Sequence, residues 1–246
     1  MRLGLSSEAA PDASLDDLIR FAQRRGLAEL ELREGDAHGI AAGTSAPACA
    51  AAAAAVRAAG LTLTAYRTHQ LEDESTLARL AGALGAPVLL AGPVPLATRV
   101  ERARRIREAG GQVAIVLRGD SAVWDGIVCH EAGLALAWEA DPHFGPVGDM
   151  AAPLLERFGD DLGHIRLVGG GPELAMQDGA GIGDLMRRLA LGAYAGTVIL
   201  APSTPRYGVA WQHWLGRRGG TGCGSAGETR PALVTLEAPL KTGAST

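Results

Sequence analysis

Short apolar runs alternate with longer amphipathic stretches between residues 3 and 201. Within the apolar runs the side chains alternate with period two. At 28–33, Leu30 and Leu32 oppose Glu29, Glu31 and Arg33. At 113–118, Val113, Ile115 and Leu117 oppose Ala114, Val116 and Arg118. Leu134, Leu136 and Trp138 oppose Ala135, Ala137 and Glu139, and Ile165 and Leu167 oppose His164 and Arg166. Period two is the signature of a β-strand. The pattern predicts strands over 3–6, 28–33, 61–67, 88–91, 113–118, 134–139, 164–168 and 197–201. Between them lie helices with recognisable ends. Ser14 and Asp17 open the first and Gly26 closes it. The others span 48–59, 75–84, 98–109, 121–131, 150–158 and 184–191, several of them ending at a glycine.

Eight strands separated by helices predict an α/β fold with a parallel sheet. Its compact form is a (β/α)8 TIM barrel, a single domain over 1–215, with a flexible Gly/Arg-containing C-terminal tail over 216–246. Trp211 and Trp214 belong to a last helix that docks on the barrel. The alternative is an open doubly wound sheet, whose strands are buried on both faces and read as continuous apolar runs. Here one face of each strand is bulky and aliphatic while the other is small or polar. That suits a barrel interior with a polar mouth.

Composition narrows the function. Hydrophobic residues make up 47% of the 246 and charged residues 20%, enough apolar surface for a large core. The net charge of −4 and the 4% of aromatic residues argue against a nucleic-acid partner. Lys241 is the one lysine among 23 basic residues, so arginine is the default cation of this chain and an arginine cluster carries less weight than usual. Cys49, Cys129 and Cys223 are widely separated and odd in number, which fits a reducing compartment. The start MRLGLSS is too short and too soon polar for a signal peptide, and the alanine run at 46–59 is too short to span a bilayer. The expectation is a cytoplasmic protein with no membrane partner.

In α/β barrels the site lies at the C-terminal ends of the strands. By side-chain parity Glu31, Arg33, Tyr66, Arg118, Glu139 and Arg166 belong there, followed by His69, Asp141 and His143. Arginines on strands two, five and seven converge on one pocket, and buried guanidinium groups need carboxylates or an anionic ligand. Glu31 and Glu139 partner two of them, and a phosphate or carboxylate satisfies the rest. The alternative turns Arg33 and Arg118 outward as surface ion pairs. Glu139, Asp141 and His143 also have the chemistry of divalent-metal ligands. Against this, Arg118 and Arg166 repel a metal, and a loop histidine more often makes a hydrogen bond. The glycines at 169–171 and 179–183 lie where barrels often bind phosphate, although a turn-forming role fits better. The chain has no Gly-x-Ser-x-Gly, and Cys129 reads as a small buried residue.

The stretches GLAELELR (26–33), ALGAP (83–87), LALAWEADPH (134–143), GAGIGDL (179–185) and AYAG (193–196), in this order, carry a likeness to a known family. Over 1–215 the chain resembles the xylose isomerase-like barrel superfamily. That superfamily includes sugar-phosphate isomerases and epimerases, hydroxypyruvate isomerase-like proteins and relatives of endonuclease IV. The resemblance implies a divalent metal (Mn, Mg or Zn) held by acidic and histidine ligands on strands five to eight, with two glutamates as acid and base. This chain departs from that pattern. Strand five ends in Leu117 and Arg118, strand seven carries Arg166, and strand eight ends without a glutamate. Asp141 and His143 remain as candidate metal ligands. The reading is a sugar isomerase-like barrel with a degenerate metal site, acting on or binding a small anionic, sugar-like molecule. If catalytic, it moves a proton next to a carbonyl. Glu31, Glu139 or His143 is the base, Arg118 and Arg166 stabilise the enediolate, and Arg33, Tyr66 and His69 help hold the ligand. The alternative is a catalytically inactive barrel that serves as a ligand-binding or scaffold protein.

Overall fold

A computed structural model describes residues 1–68, 73–92, 94–119, 134–141, 147–159, 161–168 and 182–201. Eight parallel strands close on themselves: β1 (Arg2–Ser6), β2 (Glu29–Arg33), β3 (Thr62–Thr68), β4 (Val88–Leu90), β5 (Val113–Arg118), β6 (Ala135–Ala140), β7 (Leu162–Val168) and β8 (Thr197–Ala201). Each pairs with its successor, and β8 returns to β1 through Leu3 opposite Val198. The described helices are α1 (Leu15–Arg24), α2 (Ala46–Ala58), α3 (Glu74–Leu84), α4 (Leu96–Glu108), α5 (Val147–Phe158) and α6 (Ile182–Leu191). This is the (β/α)8 barrel. The expected helix at 121–131, the last helix with Trp211 and Trp214, and the tail over 216–246 lie outside the described residues.

The helices form where local chemistry directs them. Ser14 Oγ accepts the Asp17 N–H at 3.2 Å and so caps α1. Its buried residues Leu18, Ile19 and Ala22 fall on one face. In α2 the alanines supply helix propensity, while Cys49, Ala53 and Val56, spaced by four and three, are the buried stripe. Asp73 caps α3 by accepting the Thr76 N–H at 2.8 Å, so this helix starts one residue before the sequence expectation. Gly85 ends it in the left-handed conformation with φ of 65°.

The core divides as the strand alternation requires. The outward strand residues Leu30, Leu32, Ile115, Leu117, Trp138 and Ile165 pack under the helices against Leu18, Val56, Leu77, Ile106 and Leu154. Burying each such side chain is worth about 1.5–3 kcal/mol, and this layer dominates the stability of the fold. Inside the barrel a second, smaller apolar cluster of Ala65, Leu89, Ala91, Ala114, Val116 and Ala137 comes from β3 to β6. The buried interior otherwise holds charge, including Glu29, Glu31, Arg67, Glu139, His164 and Arg166.

Two strands break the simple alternation. Leu30 pairs with Leu63 but Glu31 pairs with Ala65, so Thr64 is an extra residue in β3. In the same way Leu136 pairs with Leu162 and Ala137 with His164, which leaves Gly163 extra in β7. A bulge of this kind inverts the parity of everything after it. Leu63 faces the helices, and so does Tyr66. Tyr66 is fully buried, and its hydroxyl donates to the Ile40 carbonyl at 3.4 Å. It is therefore a core residue and not part of the barrel mouth. The inward residue at this end of β3 is Arg67, opposite Arg33.

Candidate functional site

The C-terminal half of the barrel interior contains a lattice of ion pairs centred on Arg166. Its β7 position faces Glu139 on β6 and Ile199 on β8, and its side chain is 0% exposed. Each of the three guanidinium nitrogens meets a different carboxylate. Nε donates to Glu31 at 2.9 Å, Nη2 donates to Glu8 at 2.9 Å, and Nη1 donates to Glu139. Glu8 reaches the centre from the short 3-10 turn Ser7–Ala9 that follows β1.

Arg67 is the second buried guanidinium. Its Nη2 donates to Glu139 at 2.5 Å and its Nη1 to Glu8 at 3.4 Å. Its Nε is buried and finds no hydrogen-bond partner among the described residues. Around these two lies a rim. Arg118 donates through Nε to Glu139, with its side chain 57% exposed. Arg33, 27% exposed, bonds Glu8 at 3.2 Å and Asp36 at 2.6 Å. Ser7 locks this corner, because its hydroxyl donates to Asp36 at 2.6 Å and accepts the Arg33 N–H at 2.8 Å. Arg99, from the first turn of α4, donates to the Val116 carbonyl, and its Nε also has no hydrogen-bond partner among the described residues.

These contacts set the charge states. Burial alone would raise the Glu31 carboxyl. Arg166, the hydrogen bond from His164 and the more distant Arg67 outweigh it and hold Glu31 down at about 2. Burial likewise opposes ionisation of Glu139, and Arg166, Arg67 and Arg118 together push it below the usual carboxylate range. For Arg166, burial disfavours the charge but Glu31, Glu139 and Glu8 overcome it and raise the group further. Arg67 is lowered, first by burial and then by the neighbouring Arg166. His164 Nε2 lies 2.9 Å from Glu31. An ionised carboxylate only accepts, so this nitrogen carries the shared hydrogen.

Glu31, Glu139, Arg118 and Arg166 are thus brought together, with Arg33 at the edge. Tyr66 is not among them. His69 and His143 lie outside the described residues. Asp141 follows β6 directly and is partly exposed. Among the described residues no group of three or more His, Cys, Asp or Glu is arranged to hold a metal ion. Also among the described residues, no helix is long and apolar enough to cross a membrane. Sequence reasoning missed Arg67, Glu8, Asp36 and the bond from His164 to Glu31. Glu8 had a signal, since it follows the C-terminal end of the first strand, where barrel sites lie. Arg67 was hidden by the bulge.

Comparison with solved structures gives the fold a context. The chain is similar to a xylose isomerase domain-containing protein from Salmonella typhimurium (TM-score 0.62, 17% identity, 88% of this chain and 95% of the other). It is also similar to 3-keto-D-glucoside 4-epimerase from E. coli (TM-score 0.57, 14% identity, 87% and 99%). D-allulose 3-epimerase from Methylomonas sp., solved with D-allulose, aligns with a TM-score of 0.56 at 14% identity over 81% and 83%. No family model and no curated protein matches the chain. The chain shares the (β/α)8 barrel fold of these proteins, a xylose isomerase domain-containing protein and two sugar epimerases.

Proposed function

We propose that the barrel mouth binds a small anionic, sugar-like molecule, held by guanidinium groups that the buried carboxylates fix in place. The observation that carries this is the pair Arg67 and Arg118. They come from separate strands, meet on the same Glu139 and sit at the mouth end of the barrel. The Arg67 Nε is left without a hydrogen-bond partner among the described residues. A buried donor without a partner costs about 1–3 kcal/mol, which a ligand oxygen would recover. The likeness to barrels that handle keto-sugars supports a polyhydroxylated ligand.

The same geometry gives Glu31 and Glu139 a positioning role. A carboxylate held near 2, as Glu31 is, makes a weak base at neutral pH, because general bases work best with a pKa close to the operating pH. Every oxygen of both side chains already accepts from Arg166, His164, Arg67 or Arg118. Proton transfer next to a carbonyl therefore draws its base from outside the lattice, and His143 is the candidate that the sequence supplies. Arg118, the largely exposed member of the lattice, then acts on the developing enediolate charge, and Arg166 holds the carboxylates in place behind it.

Calorimetric titration with sugar phosphates, hydroxy acids and neutral keto-sugars tests the binding. The expected result is a preference for the anionic ligands. Arg118→Ala should weaken it at least about tenfold, in line with a charged hydrogen bond of about 1.5–3 kcal/mol. Equal affinity of the wild type and Arg118→Ala would remove the arginine pocket. Deuterium uptake from D2O at the carbon next to the ligand carbonyl, followed by NMR, separates an isomerase-like enzyme from a catalytically silent binding barrel.

A further inference from the structure

The donor set at the barrel centre is the kind that holds a divalent cation, with carboxylates of Glu8, Glu31 and Glu139 and the His164 imidazole. The divalent metal that the family resemblance implies does not fit there. The position is filled by Arg166, which has no exposed surface and spends each nitrogen on a different carboxylate. Charge points the same way. The three carboxylates already face two buried guanidinium groups, Arg166 and Arg67. A divalent ion added to them would put four positive charges against three negative in a largely buried space. Desolvation makes such an excess costly.

We propose that Arg166 is the resident cation of this barrel, tethered by its own chain in the place a divalent ion would take, and that the centre excludes divalent metals while Arg166 is present. Three features of the fold support the substitution. β7 places Arg166 between Glu139 on β6 and Ile199 on β8, with its guanidinium on all three carboxylates. The inward residues Ala65, Ala114 and Ala137 are small, so the interior that also holds Arg67 and Arg166 is not filled by bulky side chains. His164, one pleat below, turns its hydrogen towards Glu31 and completes the coordination of that carboxylate without any ion. Removing the guanidinium takes away one positive charge and its volume. The carboxylates are then left in excess around a cavity that only a small multivalent cation neutralises.

The test uses the full chain, stripped with EDTA and titrated with Mn2+, with bound metal read by electron paramagnetic resonance and stability by thermal denaturation. The wild type is expected to hold no stoichiometric Mn2+ and to show no Mn2+-dependent change in Tm. Arg166→Ala is expected to melt lower, to bind one Mn2+ at least about tenfold tighter than the wild type and to regain part of its Tm on binding. Adding Glu139→Gln should abolish the gain. If Arg166→Ala is too unstable to purify, Arg166→Gln, which drops the charge and shortens the fork, is titrated in its place. One equivalent of Mn2+ on the wild type at micromolar Kd overturns the proposal, as does a folded Arg166 variant that gains no Mn2+ affinity. No organic ligand enters this measurement, so its failure is separate from a failure of the anion-binding proposal.

Discussion

Replacing Glu31 by Gln removes one negative charge and one acceptor from the lattice while keeping the volume of the side chain. The size is kept and the amide oxygen can still accept from His164 and Arg166, while the amide nitrogen, a donor, replaces the second acceptor beside Arg166. The cost follows from the charge state. Glu31 is fully buried and titrates at about 2 in the folded protein against an ordinary 4.5. That depression is worth about 3 kcal/mol at neutral pH, on the relation of 1.36 kcal/mol per tenfold shift. Breaking a buried pair by removing one partner costs a similar amount, about 3–5 kcal/mol. Because the folded value lies below the unfolded one, the stabilisation is present above the unfolded value and disappears as the pH falls through the folded value. Urea denaturation of wild type and Glu31→Gln from pH 7 downwards reads this directly. The gap between them should be constant at about 3 kcal/mol down to about pH 5, fall by more than half near pH 3 and close towards pH 2. A gap that stays constant down to pH 3, or one below about 1 kcal/mol at neutral pH, refutes the assignment of Glu31 as an ionised partner of Arg166.

Four other substitutions separate the parts of the structure. Arg67→Ala leaves Glu139 and Glu8 short of a buried partner and should cost about 3–5 kcal/mol in chemical denaturation, whereas Arg118→Ala, at a largely exposed side chain, should stay within about 0.5 kcal/mol. Equal losses for the two would place them in equivalent environments, against the geometry. Gly196→Ala forces a methyl group into the Tyr194 ring and to 2.7 Å from the Gly163 carbonyl, so thermal unfolding should show a loss of about 1–3 kcal/mol. Gly85→Ala meets no neighbour but needs a left-handed residue at the end of α3, and about 1 kcal/mol should be lost through strain alone.

The fold was legible because the two faces of most strands differ so strongly. Leu136 and Trp138 against Ala137 and Glu139 leave little doubt about which side meets the helices, and the structure places them so. The same parity located Glu31, Glu139 and Arg166 inside the barrel. It failed at β3, where Leu61 and Leu63 set a register that Thr64 breaks. Nothing in a Thr-Leu-Thr stretch marks an inserted residue, because threonine suits either face of a strand. The consequence was that Tyr66 was assigned to the mouth and Arg67 was overlooked. The insertion in β7 did no such harm, since Gly163 precedes the residues that matter. Glu8 was missed for a different reason. Strand parity has nothing to say about a residue in a 3-10 turn, although the turn aims the side chain at the centre.

The contents of the interior also explain why the chain tolerates so much buried charge. An isolated guanidinium at 0% exposure would be prohibitively costly, and a single carboxylate partner rarely repays the desolvation. Here Arg166 has three partners, and each of those carboxylates has a second cation or imidazole. The charges therefore stabilise one another as a set. Removing any central member exposes the rest, so losses at Glu31 and Glu139 should be strongly non-additive through Arg166. The apolar half of the interior makes this possible. Ala65, Ala114 and Ala137 on β3, β5 and β6 are small, and with the buried Leu89 and Val116 they form the apolar part of the interior that also holds Arg67 and Arg166. Bulkier residues at the alanines would fill the volume and expel the guanidinium groups towards the mouth. The small interior residues and the buried arginines are thus two halves of one packing solution.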